Sequence, residues 1–181
     1  MNKNSAQIKM KKFFPIFIVI LFVFGCKTIQ NETQKTDSQK TLIKNEFPKP
    51  LGYVSDYEKV LTNEELNKLS KILTEYENTT TNQIAIISIS KNLNENNFNQ
   101  YALDLSNNWG IGTAEKNNGL TIVFSKHLRK IRICTGTGTE KILTDQICEK
   151  VLNEKILPEF KNDDYYSGLI NGINEFIKLW K

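Results

Sequence analysis

The residues of this 181-residue chain that could do chemistry gather around two glycine-bearing stretches, Asn117-Asn118-Gly119 and Gly136-Thr137-Gly138. Asp56, Asn117, Asn118, Glu140 and Asp145 supply carboxylate and amide oxygens near them in the expected fold. Such a set, with backbone carbonyls, suits a hard cation: Ca2+ first, Mg2+ or another divalent ion second. The same residues also read as ordinary structure, Asn118-Gly119 as a turn and Asp145 as an acid at a helix N-terminus. Gly119, Gly136, Thr137 and Gly138 would line the ligand cleft between the two loops, since loops on a rigid scaffold are where sites usually form.

Other chemistries are excluded by residue count and spacing. His127 is the single histidine, which leaves a Ser-His-Asp triad or a multi-histidine zinc site without its parts. Cys134 precedes a glycine loop, but the position where a cysteine phosphatase loop needs arginine is Glu140, whose charge repels phosphate. A dinucleotide G-x-G-x-x-G fails because its third glycine falls on Lys141. Cys134 and Cys148 are the cysteines of the folded part, and they read either as a disulfide or as two buried small residues.

The N-terminus carries an address. Lys3, Lys9, Lys11 and Lys12 precede an uncharged apolar run, Phe13 to Gly25, which is too short to span a bilayer but has the length of a signal-peptide core. Val23-Phe24-Gly25-Cys26 resembles the lipobox of bacterial lipoproteins, which makes Cys26 the lipidation site; an ordinary cleaved signal is the alternative. Met10 also looks like a compact start. Those four lysines supply the whole net charge of +4, and the remainder balances at 20 basic and 20 acidic residues. Nucleic-acid binding, which needs a basic face, is not indicated. Residues 26–45 are polar and read as a flexible tether, and 46–181 as one domain.

The elements that must position the oxygen ligands follow from periodicity. Thr62-Asn63-Glu64-Glu65 has capping-box spacing and predicts a helix through Leu66, Leu69, Leu73 and Tyr76 to about Asn78. Gln83–Ser90 is a buried central strand. Phe98, Tyr101, Ala102, Leu105 and Trp109 mark a second helix, closed at Gly110, and Leu120–Phe124 a strand parallel to the first. Ile131–Cys134 returns antiparallel. Thr144 caps a third helix that stops before Pro158, and a fourth starts near Asp164. The fold class is α/β: a three-layer α/β/α sandwich with a short mixed, partly parallel sheet and helices on both faces.

These residues resemble the TPM domain family of thylakoid-lumen, photosystem II repair and related membrane-tethered proteins. The resemblance runs through Gly52-Tyr53-Val54-Ser55-Asp56-Tyr57, Leu61, Gln83-Ile84-Ala85, Trp109-Gly110-Ile111-Gly112 and Asn118-Gly119-Leu120. It continues through Arg132-Ile133, Gly136-Thr137-Gly138-Thr139-Glu140, Ile156-Leu157-Pro158-Glu159-Phe160 and Asp164-Tyr165-Tyr166-Ser167-Gly168-Leu169. It implies a helix-covered sheet and a divalent-cation site, carried over to Asp56, Asn118 and Glu140 and more weakly to Asp145. It further implies acid phosphatase activity in some relatives and maintenance of membrane complexes in others. Asn117 stands where relatives commonly carry aspartate, so a negative ligand is missing and weaker calcium binding is expected. The resulting expectation is a monomeric, calcium-binding module, lipid-anchored in the bacterial cell envelope and contacting an envelope protein. A metal-dependent acid phosphatase using the same cleft is the alternative.

Overall fold

The computed structural model describes residues 47–90 and 93–181. The export segment, Cys26 and the tether expected from the sequence lie outside the described residues. Strands β1 (Val54–Asp56), β2 (Gln83–Ser88), β3 (Gly119–Ser125) and β4 (Lys130–Thr135) lie side by side in chain order. The first three are parallel and β4 runs back antiparallel to β3, as the sequence pattern requires. Every residue of β3, and Ile84 to Ser88 on β2, is buried, which is why these two strands read as nearly unbroken apolar runs.

Side-chain alternation divides the core in two. Leu120, Ile122 and Phe124 point into the larger half, with Leu69, Leu73 and Tyr76 of α1 (Asn63–Thr80). Val123 and Ile87 point to the other face, where α2 (Phe98–Trp109) contributes Phe98, Ala102 and Leu105. The capping box of α1 forms as expected: Glu65 N–H donates to Thr62 Oγ1 at 3.3 Å and Thr62 N–H to Glu65 Oε2 at 2.7 Å. The helix runs two residues past Asn78 and stops at Thr81, which turns left-handed at φ 68°.

The third helix does not stop before Pro158. From α3 (Asp145–Val151), capped by Thr144, the chain winds through a π-helical turn, Leu152–Ile156, into the single turn α4 (Leu157–Phe160). A proline inside a regular helix lacks its N–H and strikes the carbonyl four residues back, here that of Glu154. Widening the turn relieves this, and Leu157 N–H bonds the Leu152 carbonyl five residues back. The widened turn bears against α5 (Tyr165–Leu179), whose Leu169, Ile173 and Phe176 are buried as its apolar stripe requires.

Gly168 makes that contact close. A Cβ there would lie 2.7 Å from the Phe160 ring and 2.9 Å from the Ile156 carbonyl oxygen. Helix propensity alone favours Gly168→Ala by roughly 0.5–1 kcal/mol, whereas overpacking against backbone costs about 1–3 kcal/mol. The clash should win. Gly168→Ala is expected to lower the urea unfolding midpoint, and a raised midpoint would contradict this packing.

Candidate functional site

The hairpin brings Asn117–Gly119 beside Gly136–Gly138, as its antiparallel register demands. Gly136 N–H donates to the Gly119 carbonyl at 2.9 Å, and Gly138 N–H donates to that of Asn117 at 3.1 Å. Thr139, wholly buried, donates its hydroxyl to the Gly119 carbonyl at 2.9 Å. A third loop passes against Gly119 at Ile111 and Gly112, and Gly112 N–H ties it to β2 through Gln83 Oε1 at 2.6 Å.

The expected cleft is filled by backbone. A Cβ on Gly119, Gly136 or Gly138 would fall on the carbonyl oxygens of Ile111, Asn117 and Lys116 respectively. These glycines are required for close approach of one loop to another, and the space between them has no room for a ligand. Thr137 stands exposed on the outside of the loop.

Asn118 is the pin of this assembly. Its Oδ1 accepts from Thr113 N–H at 2.9 Å and from the Thr113 hydroxyl at 3.2 Å. Its Nδ2 donates to the Thr81 carbonyl at 2.7 Å and to Asn82 Oδ1 at 3.2 Å. The side chain is buried and fully bonded, so it holds the α1 exit to the β3 start and has no oxygen lone pair left for an ion.

Asp56 lies at the opposite end of the sheet. It is in register with Ser88, which faces Phe124, whereas Gly119 faces Gln83. Five residue steps along β3 separate the two rows, or roughly 17 Å at about 3.3 Å per residue. Asp56 therefore cannot share one ion with Asn118 or Glu140. It instead accepts from Leu61 N–H at 2.9 Å and from the Ser88 hydroxyl.

Beside it stands Glu58, which sequence reasoning missed. Its carboxylate accepts from Lys126 N–H at 2.7 Å, His127 N–H at 3.1 Å and the Ser125 hydroxyl at 3.3 Å, capping the hairpin turn. No local pattern announces a partner almost seventy residues away.

Glu140 and Asp145 remain on the surface. Glu140 N–H bonds the Gly136 carbonyl at 3.0 Å, and its carboxylate accepts from the Thr135 hydroxyl at 3.3 Å. Asp145 is exposed in the first turn of α3. Both lie close enough to Cys148 to act on it: burial first, then the charges of Asp145 and Glu140, push its thiol from 9.0 up to about 11. Cys134 and Cys148 are free and buried. Ile131 and Ile133 pack into the larger core with Cys148, so alternation sends Cys134 to the α2 face and a disulfide has no path.

The oxygen set thus divides into three places, and the five residues do not close around one cation. Among the described residues no group of three or more His, Cys, Asp or Glu is placed to hold a metal. Glu140 and Asp145, with the exposed Asn117 side chain nearby in the next loop, are what the loop end can offer an ion.

A mixed sheet in the order β1-β2-β3-β4, helices on both faces, and glycine loops interlocked at the start of β3 define an α/β module of TPM type. The TPM domain model matches residues 54–179, and the chain belongs to that family. The fold is similar to the solution structure of the N-terminal domain of a protein from P. gingivalis: 24% identity over 70% of this chain and 80% of that one, TM-score 0.61. It is also similar to the BA42 protein of the psychrophile Bizionia argentinensis, with 21% identity, coverage of 68% and 83%, and TM-score 0.57. A third likeness is the N-terminal domain of cg2496 from Corynebacterium glutamicum, at 16% identity, coverage of 74% and 83%, and TM-score 0.52. Comparison with curated proteins gives no match.

Asn118→Ala removes four hydrogen bonds made by a buried side chain, so a loss of roughly 2–4 kcal/mol is expected by denaturant unfolding. Glu58→Gln keeps one acceptor and should cost about 1 kcal/mol, with faster amide exchange confined to Lys126 and His127. Because the Cys148 thiol is raised, the unfolded chain loses that proton first. The stabilisation is complete below pH 9 and is lost as pH rises toward about 11. Cys148→Ala should flatten that alkaline fall in the unfolding midpoint.

Proposed function

We propose that this protein is a membrane-tethered TPM module that acts by binding in the bacterial cell envelope, held by lipid on Cys26, and that its loop end responds weakly to calcium through Glu140 and Asp145. The observation that carries this reading is the commitment of the loop polar groups to structure. Asn118 is fully bonded, the glycines are packed against carbonyls, and Asp56 serves the far end of the sheet. Hydrolysis of a phosphate ester needs an activated nucleophile and convergent positive charge. At the loop end, Lys116 is directed to the Thr81 hydroxyl at 2.8 Å, and Glu140 and Asp145 add negative charge. Binding of a protein partner, tuned by a cation that neutralises those two acids, fits the groups better than the phosphatase alternative.

A calcium titration followed by amide NMR tests the site. Shifts confined to Lys116–Asn117 and Gly136–Asp145 are expected, with no movement at Asp56, saturating only near millimolar calcium because few carboxylates are present. Glu140→Gln with Asp145→Asn should abolish them. Metal-dependent turnover of p-nitrophenyl phosphate that the same pair of substitutions removes would instead establish the phosphatase. For the anchor, Cys26→Ser should move the protein from the membrane fraction to the soluble exported fraction.

A further inference from the structure

The two edges of the sheet are unlike. β1 is three residues long and follows Pro48 and Pro50, which blunts it. β4 is six residues long, pairs with β3 without a bulge from Leu120↔Thr135 to Ser125↔Lys130, and has no proline. Among the described residues no strand lies on its outer side. Ile131, Ile133 and Thr135 give it the β-branched character that favours pairing, and an edge strand of this kind is a template for an added strand.

The charges on β4 say what kind of strand fits. Lys130 and Arg132 share the sheet face that carries α2, because Ile131 and Ile133 point to the opposite core. Lys130 is only loosely paired, with Glu95 at 4.0 Å. Arg132 is half-buried, and its Nε, shielded from solvent, has no hydrogen-bond partner among the described residues. A shielded N–H without an acceptor is costly, and the Nε side of a guanidinium matches a carboxylate in a two-point contact. Residues opposite one another on paired strands have Cβ atoms about 4.5–5.5 Å apart, within reach of such a contact.

We propose that β4 is a docking edge for an extended acidic segment of a partner protein, which adds as a further strand and sets a carboxylate against Arg132. A second copy of β4 is the poorer occupant. It brings two cations and no acid, so like charges would face the same surface.

The test adds a synthetic peptide of alternating valine and glutamate to the full chain and reads amide exchange and chemical shifts. Slowed exchange and shifts along Lys130–Thr135, with a displaced Arg132 Nε–H resonance, are expected. The glutamine analogue, and the acidic peptide on Arg132→Gln, should each bind about ten-fold more weakly. N-methylation of alternate peptide nitrogens should abolish binding. The peptide analogues leave the protein unaltered, so the outcome does not depend on how the variant folds. Unchanged exchange at millimolar peptide, or equal binding of the glutamine analogue, would overturn the proposal. Protection of β4 that grows with protein concentration alone would overturn it in favour of pairing between copies.

Discussion

The Asn118 amide is the contact on which the loop end of this domain depends. One buried side chain, just before β3, ties the αL exit of α1 to the loop that follows α2, and all of its bonding capacity is used in doing so. Around it the chain is drawn so tight that glycines are needed wherever a neighbouring carbonyl passes. A buried amide with every donor and acceptor matched is rigid, because any displacement strands a polar atom away from water. That rigidity presents Glu140 and Asp145 on a fixed surface, and it also explains why the space behind them is closed.

The far end of the sheet is locked by charge. Asp56 holds the turn that leaves β1, Glu58 caps the β3–β4 turn, and the buried hydroxyls of Ser88 and Ser125 link them to the strands. In open α/β sheets the carboxyl ends of the strands are the usual place for a ligand. Here those groups serve the chain itself. The basic hairpin tip is bound to the body as well, for Lys126 lies over the Tyr165 ring at 5.4 Å, and that ring stacks on Phe124 at 5.7 Å and tilts against Phe160 at 4.8 Å. Both ends of the sheet are thus engaged internally by the chain's own side chains.

The helical layer has one irregularity, with a single cause. Pro158 cannot continue an ordinary helix, the turn before it widens, and the displaced Ile156 is received by α5 at Gly168 and Gly172. Two small residues on one helix and one proline on another are thus parts of the same packing solution, although nothing in their separate local patterns connects them.

What the sequence determined alone was what local periodicity and spacing can encode. The Thr62–Glu65 cap, the apolar runs of β2 and β3, the antiparallel return of β4 and the meeting of the two glycine loops all follow from rules that act over a few residues or one hairpin. The TPM resemblance was legible for the same reason, as short motifs in a fixed order. Three-dimensional structure alone decided which end of the sheet Asp56 occupies, that Asn118 is consumed by Thr81, Asn82 and Thr113, that Glu58 caps a distant turn, and that Cys134 and Cys148 stand on opposite faces. Carboxylates and amides carry no mark of their eventual partner. Whether such a group binds an ion or holds the backbone depends on which donors the folded chain brings within 3 Å or so of it, and that is set by strand register and packing across the whole domain.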